Sequence, residues 1–417
     1  MSNPLMFNRR RFIQLGAGTA VTVALAACAS NRSASLPAPT VGTTVARTST
    51  STGSGDDRTL VIVQLNGGND ALNTLIPSDG RYRDARPTLA IPEADLVALS
   101  GVSEWSMHPK LGPLTSYWDA GTAALLPGIG FSDPNRSHFV SLDRWWRADD
   151  LTSPTGWLGR SVTSGAQSPL YATTLGGGAP LLRSDVFQPA VVFIPSSFDF
   201  PEALPGDTLQ RLAQPVSADE LHALAQHSMT STIAAVASFA SLLDPHGSAA
   251  DDQVAHREGS LDLVQGLELA ARLVTANVGA RIVVVSAGGF DTHSNQLARH
   301  SVLLDDLAKG IDSFMQTVAA AGATDRTLLV TTSEFGRRVA ENASGGFDHG
   351  AGGMSMMFGG KVAGGIHGTV DLADQLGGDV RPTLDPRTLY TACLDWLGLD
   401  PAAVLGKRFD QVALLRT

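Results

Sequence analysis

The sequence predicts an α/β fold with a mostly parallel central sheet and helices on both of its faces. Three apolar runs predict the first strands of that sheet, at residues 60–65, 281–286 and 327–332. None of these runs alternates apolar with polar residues, and unbroken apolar runs are typical of strands that are buried on both faces, as in parallel sheets.

A helix is predicted between the second and third runs, because apolar residues recur there every three or four positions. These residues are Leu303, Leu304, Leu307, Ile311, Phe314, Met315 and Val318. Strand, helix and strand in this order form a βαβ unit, whose two strands run parallel. A second helix is predicted at 261–274, and 123–127 and 190–194 are candidates for further strands.

The composition is that of a globular protein, with 43% hydrophobic and 17% charged residues among 417. The formal net charge of −10 and the lack of a basic cluster argue against nucleic-acid binding. The chain has two cysteines, Cys28 and Cys393. Cys393 lies in an apolar helical pattern, so we expect a buried structural thiol there.

The N-terminus resembles a twin-arginine export signal, in which Arg9 and Arg10 precede a polar position, Phe12 and an apolar residue. The apolar segment 15–27 that follows is shorter than the roughly 20 residues that a membrane-spanning helix needs. This pattern predicts a cleaved signal and export of the folded protein by the twin-arginine translocase.

Residues 25–28, Leu-Ala-Ala-Cys, resemble a lipobox in which Cys28 is lipidated and becomes the mature N-terminus. The alternative is simple cleavage after the Ala-x-Ala pattern at 24–26. Residues 29–57 are rich in Ser, Thr, Ala and Pro, a composition typical of a flexible tether. We expect a protein held on the outer face of the cytoplasmic membrane through its lipid anchor only.

The sequence therefore divides into a signal segment with its lipobox at 1–28, a tether at 29–57 and one α/β domain at 58–417. A polar, helical stretch at 201–255 is a possible insertion in that domain.

Each of the three strand-like runs ends in polar residues that are able to bind a metal. Asp70 follows the first run, Asp291 and His293 follow the second, and Glu334 follows the third. Ligands of open parallel sheets bind beyond the carboxyl ends of the strands. Simpler interpretations remain open: Asp70 as a helix cap, Asp291 and His293 as an ordinary turn, and Glu334 as a partner of Arg337.

Asp348 and His349 form a second carboxylate–imidazole pair, within the Gly-rich segment 345–353 that permits close approach to a ligand. His367 is a lone imidazole between glycines and another candidate ligand. The alternative for both is a flexible loop.

Ser137 is a candidate nucleophile, because a hydroxyl at the positive end of a helix is activated by that helix and by a metal. It is equally well placed to be only a helix N-cap. Arg337 is a candidate for holding an anionic substrate group. The sequence has no G-x-S-x-G elbow, no P-loop and no H-E-x-x-H, so a conventional serine esterase is not indicated.

Together, five motifs resemble the bacterial family catalogued as domain of unknown function 1501. The motifs lie at residues 64–77, 137–139, 289–293, 333–337 and 348–350. This resemblance implies membership of the alkaline phosphatase-like superfamily, whose members bind metals at the strand edge and hydrolyse phosphate or sulfate esters.

The resemblance also implies roles for single residues. Asp70 matches the first-strand metal carboxylate, Ser137 the nucleophile, Asp291 and His293 the paired ligands of one metal, and His367 its late histidine. The chain departs from the superfamily where an Asp-His pair is usual, because it has Glu334 and Phe335 there. Asp348 and His349 are candidates to replace that pair.

The sequence thus predicts a hydrolase of small anionic phosphate or sulfate esters that depends on divalent zinc, manganese or calcium. The expected ligands are Asp70, Asp291, His293, Glu334, Asp348, His349 and His367, with Ser137 and Arg337 in catalysis. The alternative is a non-catalytic envelope protein with a structural metal or a degenerate site.

Overall fold

The structure, a computed structural model, describes residues 57–162, 168–193, 211, 220–243 and 261–416. The predicted signal with Arg9 and Arg10, the lipobox with Cys28 and nearly all of the tether lie outside these residues, as does most of the predicted insertion apart from one helix.

Thirteen strands are described. Their bounds are β1 (Thr59–Leu65), β2 (Leu75–Pro77), β3 (Val97–Leu99), β4 (Val102–Met107), β5 (Ala123–Ile129), β6 (Ala172–Leu175), β7 (Ala190–Val192), β8 (Ile282–Ala287), β9 (Thr327–Thr332), β10 (Gly353–Phe358), β11 (Gly365–Ile366), β12 (Gln375–Leu376) and β13 (Asp379–Val380).

The described α-helices are α1 (Ala71–Thr74), α2 (Gly80–Ala85), α3 (Thr115–Asp119), α4 (His138–Arg147), α5 (Trp157–Ser161), α6 (Glu220–Leu243), α7 (Leu263–Thr275), α8 (Gln296–Ala320), α9 (Pro386–Leu397) and α10 (Pro401–Leu405). None of the described helices is long and apolar enough to cross a membrane.

Eight strands form the central sheet, in the order β11-β5-β10-β9-β1-β8-β6-β7. β1 lies inside the sheet and pairs in parallel with β8 on one side and with β9 on the other. Of these eight strands β10 alone is antiparallel to its neighbours β9 and β5. The predicted α/β class with a mostly parallel sheet is confirmed.

Helices cover both faces of the sheet, because alternate residues of β1 enter two different cores. Val61 and Val63 pack in one core with residues of α7 and α8, and Leu60 and Ile62 pack in the other with residues of α9. A strand that is buried on both faces has no solvent-facing side, which explains the near-continuous apolar run of β1. Cys393 of α9 is buried in the second core, as expected.

The strongly apolar elements occur where they were predicted, and the weakly patterned ones were missed. β9 has its predicted bounds, whereas β6 and β10 were not anticipated. β10 reads Gly-Met-Ser-Met-Met-Phe, and it follows directly on glycines that indicate a loop. Its pairing with β5 and β9, not its own β propensity, makes it a strand.

Candidate metal centre

Loops from three parallel strands meet at one edge of the sheet, as the sequence predicts. β1, β8 and β9 run parallel, so the residues that follow them lie side by side. Gly67, after β1, has φ +121°, and a Cβ there would overlap the backbone of Asp291, after β8. Only glycine permits this close packing, which brings Asp291 to the middle of the edge.

One oxygen of Asp291 is the meeting point of the centre. Its Oδ1 atom lies 3.1 Å from His293 Nε2, 3.3 Å from His349 Nε2 and 3.6 Å from His138 Nε2. Arg337 Nη2 donates to the same oxygen at 2.6 Å. Within the described residues, donor atoms of His138, Asp291 and His349 all lie within 4.8 Å of one another.

His138 is held in place by a buried carboxylate behind it. Its Nδ1 lies 2.8 Å from Glu334 Oε1, and the Glu334 side chain is 1% exposed. The same oxygen accepts the backbone N–H of Gly67 at 2.8 Å. A carboxylate behind Nδ1 fixes the orientation of the ring, with Nε2 directed toward the centre.

His349 and His293 are oriented in the same way. His349 Nδ1 lies 2.7 Å from the carbonyl oxygen of Arg136, which is only an acceptor, so Nδ1 carries the proton and Nε2 has the lone pair. His293 Nδ1 faces Asp348 Oδ1 at 3.4 Å. Each of the three imidazoles thus has an oxygen behind it and its Nε2 toward Asp291.

This arrangement fits a metal ion better than it fits neutral side chains alone. His138 Nε2 is buried and has no hydrogen-bond partner, and His293 Nε2 and His349 Nε2 lie 2.8 Å apart. Lone pairs that face each other and a carboxylate repel unless a proton or a cation lies between them. Donors of a tetrahedral zinc ion lie about 3.3 Å from one another, close to the distances around Asp291.

The electrostatics favour the metal-binding forms of Asp291 and His349. Burial alone raises the pKa of Asp291, but the Arg337 guanidinium and the neighbouring imidazoles outweigh burial and lower that pKa to about 2. Burial lowers the pKa of His349, with further lowering from Arg337 and His138. Near neutral pH, Asp291 is therefore a carboxylate and His349 a neutral ring, the forms that bind metals.

Arg337 does not have the predicted role of holding a substrate anion. Its side chain is fully buried, and its Nε donates to the carbonyl of Gly68 at 2.8 Å. Its two Nη atoms contact Asp291 and the carbonyls of Gly67, Phe290 and Phe347, and Nη1 also lies 3.4 Å from His293 Nε2. A guanidinium whose donors are committed in this way fixes the loops around Asp291 and leaves no edge for a ligand.

Glu334 and Asp348 lie behind the imidazoles and not among the atoms that face the centre. Glu334, predicted as a ligand or as a partner of Arg337, instead contacts Ser333, Gly67 and His138. Asp348 accepts from Asn342 Nδ2 at 3.2 Å besides facing His293. Each carboxylate lies on the Nδ1 side of an imidazole, and the structure thus places neither of these two predicted ligands among the atoms that face Asp291 Oδ1.

Asp70 is the partner of an arginine and not a free metal ligand. Arg86 Nη1 donates to its Oδ2 at 2.9 Å, Arg86 Nη2 donates to its Oδ1 at 3.0 Å, and Gln296 Nε2 lies 3.2 Å from Oδ2. The guanidinium thus occupies the space in which a cation would contact this carboxylate.

His367 lies far across the sheet from the centre, which corrects its predicted role as a ligand. It follows the edge strand β11, which is separated from β9 by β5 and β10. Neighbouring strands are about 4.8 Å apart, so three strand spacings amount to roughly 14 Å. His367 Nε2 donates to the carbonyl of Ala363 at 2.6 Å.

Ser137 is the residue immediately before His138, at the N-cap position of α4. It is exposed, and its side chain makes no capping hydrogen bond to the helix. Its backbone N–H donates to Asn135 Oδ1 at 2.8 Å. Ser137 is therefore an exposed residue that adjoins His138 in sequence, and the simpler interpretation of Ser137 as a side-chain N-cap is not what its contacts show.

His138 is the member of the candidate centre that the sequence does not predict as a ligand. The motif 137–139 predicts a role for its serine, because a hydroxyl before a helix suggests a nucleophile. The available signal was the imidazole at the first position of a helix, but the fold alone brings it to Glu334, 196 positions away in sequence.

Several solved structures resemble the fold weakly. They include the lipoteichoic acid synthase LtaP from Listeria monocytogenes (TM-score 0.36, 10% identity, 83% of this chain and 73% of that one). The phosphonate monoester hydrolase SpPMH from Silicibacter pomeroyi has a TM-score of 0.36 at 10% identity, with 85% and 78% covered. The PsFucS1 sulfatase from Pseudoalteromonas sp. has a TM-score of 0.38 at 11% identity, and the match covers 86% of this chain and 71% of that one. Overlaps this weak say nothing about the activity of the chain.

No curated protein matches the chain in sequence. A family model described as "Protein of unknown function (DUF1501)" matches residues 208–413, slightly less than half of the chain. The match contains Asp291, His293, Arg337 and His349, and it begins after His138. The part of the sequence that carries most of the candidate centre is thus similar to this family.

Proposed function

We propose that this protein is a metal-dependent hydrolase of phosphate or sulfate esters, of the alkaline phosphatase-like kind. One observation carries the proposal: three imidazole Nε2 atoms converge on Asp291 Oδ1, and each imidazole has an oxygen atom behind its Nδ1. Oriented imidazoles around a carboxylate are the usual form of a protein metal site. The resemblance of the sequence motifs to the superfamily supplies the reaction class.

The donor set favours zinc over calcium among the three metals expected from the sequence. His138, His293 and His349 would supply nitrogen and Asp291 would supply oxygen. Zinc and manganese accept imidazole ligands, whereas calcium takes six to eight oxygen atoms. The ion pair with Arg337 partly neutralises the charge of Asp291, so Asp291 would bind a cation less strongly. The imidazoles would therefore contribute the larger part of the metal affinity.

A divalent ion held there would polarise the ester and lower the pKa of a hydroxyl group. Ser137 offers such a hydroxyl, since it is exposed and adjoins His138. Its place at the start of α4 adds the positive end of a helix, which favours a serine alkoxide. We assign Ser137 as the nucleophile on this basis.

Arg136 takes the role that the sequence suggested for Arg337. Its side chain is 47% exposed and adjoins Ser137, and its guanidinium is bound to Asp379 Oδ2 at 2.7 and 2.9 Å. Asp379 would hold the guanidinium beside the serine, where it would contact an anionic ester group.

The proposed place of action is the outer face of the cytoplasmic membrane. The twin-arginine pattern at Arg9 and Arg10 and the lipobox at Cys28 support export and lipid anchoring. Replacing Cys28 with Ser should release the protein from the membrane fraction after export. Release without that substitution would argue for simple cleavage.

The first experiment measures the metal content of the mature protein by plasma mass spectrometry after exposure to zinc and to manganese. We expect near-stoichiometric metal in the wild type, no metal in Asp291→Ala/His349→Ala, and unchanged metal in His367→Asn. A folded wild type that takes up neither metal would overturn the proposal.

The second experiment assays hydrolysis of p-nitrophenyl phosphate and p-nitrophenyl sulfate by the metal-loaded protein. We expect Ser137→Ala to lower the rate of ester hydrolysis at least 100-fold, because the reaction begins with attack by the nucleophile. Its metal content should stay unchanged.

The alternative is a non-catalytic envelope protein with a structural metal. The commitment of Arg337 to backbone carbonyls favours it, because the most central cation of the site is not available to a substrate. Stoichiometric metal without ester hydrolysis, and with no effect of Ser137→Ala on any substrate tested, would favour this alternative.

A further inference from the structure

Three carboxylates follow the three parallel strands at the edge of the centre, and each has a different partner. Asp291 faces the imidazoles, Glu334 binds His138 Nδ1 and a backbone N–H, and Asp70 binds Arg86. Two of the three are therefore already satisfied by groups of the chain itself.

Arg86 binds Asp70 with full use of its guanidinium. Besides the two bonds to the carboxylate, Nη1 donates to Asn73 Oδ1 at 2.7 Å, Nε donates to the carbonyl of Val339 at 2.9 Å, and Nη2 donates to the carbonyl of Arg338 at 3.1 Å. An arginine has five N–H donors, and all five are used here. Neither Asp70 nor Arg86 has an exposed side-chain surface.

Two aromatic rings close the remaining faces of the guanidinium. Its carbon atom lies 4.0 Å from the ring centroid of Phe347 and 5.5 Å from that of Tyr82. Tyr82 is itself buried and donates its hydroxyl to Asn73 at 2.8 Å. A guanidinium held between rings and saturated with acceptors does not leave its place to admit a hydrated ion.

We infer that the centre binds a single cation, and that Arg86 is a permanent internal cation at Asp70. This inference rests on the proposed function, because it counts the ions of the proposed centre. Among the residues that the structure describes, it assigns one exchangeable cation position, formed by the imidazoles and Asp291.

Glu334 does not offer a second position either. Its Oε1 is shared between Gly67 N–H and His138 Nδ1, and its Oε2 lies 3.4 Å from the hydroxyl of Ser333. The carboxylate is buried behind the His138 ring, so the ring separates it from the centre. Charge at this edge is thus balanced by one external cation and by the two buried arginines, Arg86 and Arg337.

The test is the number of zinc ions bound per chain, measured by native mass spectrometry of the mature wild-type protein and by plasma mass spectrometry. We expect one. Two ions per chain would overturn this inference and leave the proposed function standing. A protein that binds none would overturn the proposed function and this inference with it.

A paired variant tests the role of Asp70 directly. Asp70→Asn/Arg86→Gln removes both charges together and avoids an unpaired buried charge. If Asp70 is not a ligand, this variant still binds one zinc ion, with an affinity within about twofold of the wild type. Loss of the ion from a folded variant, judged by an unchanged circular dichroism spectrum, would contradict the inference. If the variant does not fold, the count of ions on the wild type still decides.

Discussion

Two buried arginines in this protein each bind an aspartate that follows a parallel strand, and the two pairs differ in what else reaches the aspartate. In the closed pair, Arg86–Asp70, neither side chain has exposed surface. In the open pair, Arg337–Asp291, the arginine is fully buried but the aspartate is 48% exposed. Asp70 is surrounded by donors of its own core, whereas Asp291 is surrounded by imidazoles.

The comparison shows that an arginine–aspartate ion pair can serve two purposes, and that solvent access to the aspartate decides between them. A buried carboxylate whose oxygens are saturated by a guanidinium contributes to a fixed core. A carboxylate that is held from one side only keeps part of its surface for an external ligand. The position of the acid at the sheet edge is shared, so position alone does not distinguish the two.

The largest effect should come from breaking the closed pair. Arg86→Ala leaves Asp70 buried without its partner, which we expect to lower the free energy of unfolding by about 3–5 kcal/mol. Equilibrium unfolding in guanidinium chloride measures this change in the free energy of unfolding. Arg381→Ala, which removes an exposed pair with Asp374, is the matched control and should have little effect. A loss below about 1 kcal/mol for Arg86→Ala would mean that the closed pair is not fixed in the core.

Removing an imidazole that faces the open pair should weaken metal binding more than it lowers the stability of the fold. Four ligands share the roughly 12 kcal/mol of a protein zinc site, so His138→Asn should weaken zinc binding by about 100-fold. Competition with a chelator measures the affinity. His367→Asn removes an imidazole from the sheet edge and should leave the affinity unchanged. Equal losses in the two variants would contradict the assignment of His138.

Acid should destabilise the region around the closed pair. His300 is fully buried against Asn69, which precedes Asp70, and burial lowers its pKa to about 4. The unfolded chain takes up a proton near pH 6.5 and the folded chain does not, so unfolding becomes easier as the pH falls through this window. We expect His300 to contribute a loss of about 2 kcal/mol between pH 7 and pH 5.

Unfolding experiments with EDTA at both pH values test this prediction without a contribution from metal. His300→Gln retains a donor for Asn69 but does not titrate, so its stability should change less between the two pH values. An identical pH dependence in the wild type and the variant would assign the effect to other groups.

The smallest effects should come from the carboxylates behind the imidazoles, and they should differ from each other. Glu334→Gln replaces a buried acceptor 2.8 Å from His138 and should weaken metal binding by about 10-fold to 100-fold. Asp348→Asn acts on a side chain that is 56% exposed and 3.4 Å from His293, so its effect should be smaller, below about 10-fold. Titration of both variants with zinc makes the comparison. The reverse order would place the ion nearer to His293 than to His138.

The sequence by itself determined the three central parallel strands β1, β8 and β9 and the edge of the sheet at which the centre lies. Residues 60–65 and 327–332 are mostly apolar and do not alternate with polar residues, because their strands are buried on both faces, and this pattern is readable without a fold. Asp291 and His293 follow the remaining such run, at 281–286, and they lie at the carboxyl edge because its strand runs parallel to the other two. The predicted pair Asp348 and His349 also reaches this edge, with His349 facing Asp291.

Only the tertiary structure decided which of the polar residues face the centre. Asp70 and Asp291 look alike in sequence, since each is an acid after a strand, and each binds a buried arginine in the fold. The difference is access, because Asp70 is fully buried with Arg86 whereas Asp291 is 48% exposed. Glu334 is covered by His138, the first residue of the distant helix α4, and His367 follows a strand at the far side of the sheet. The physical reason is that a strand pattern records burial along the chain, whereas the partner of a charged group is set by contacts between distant segments.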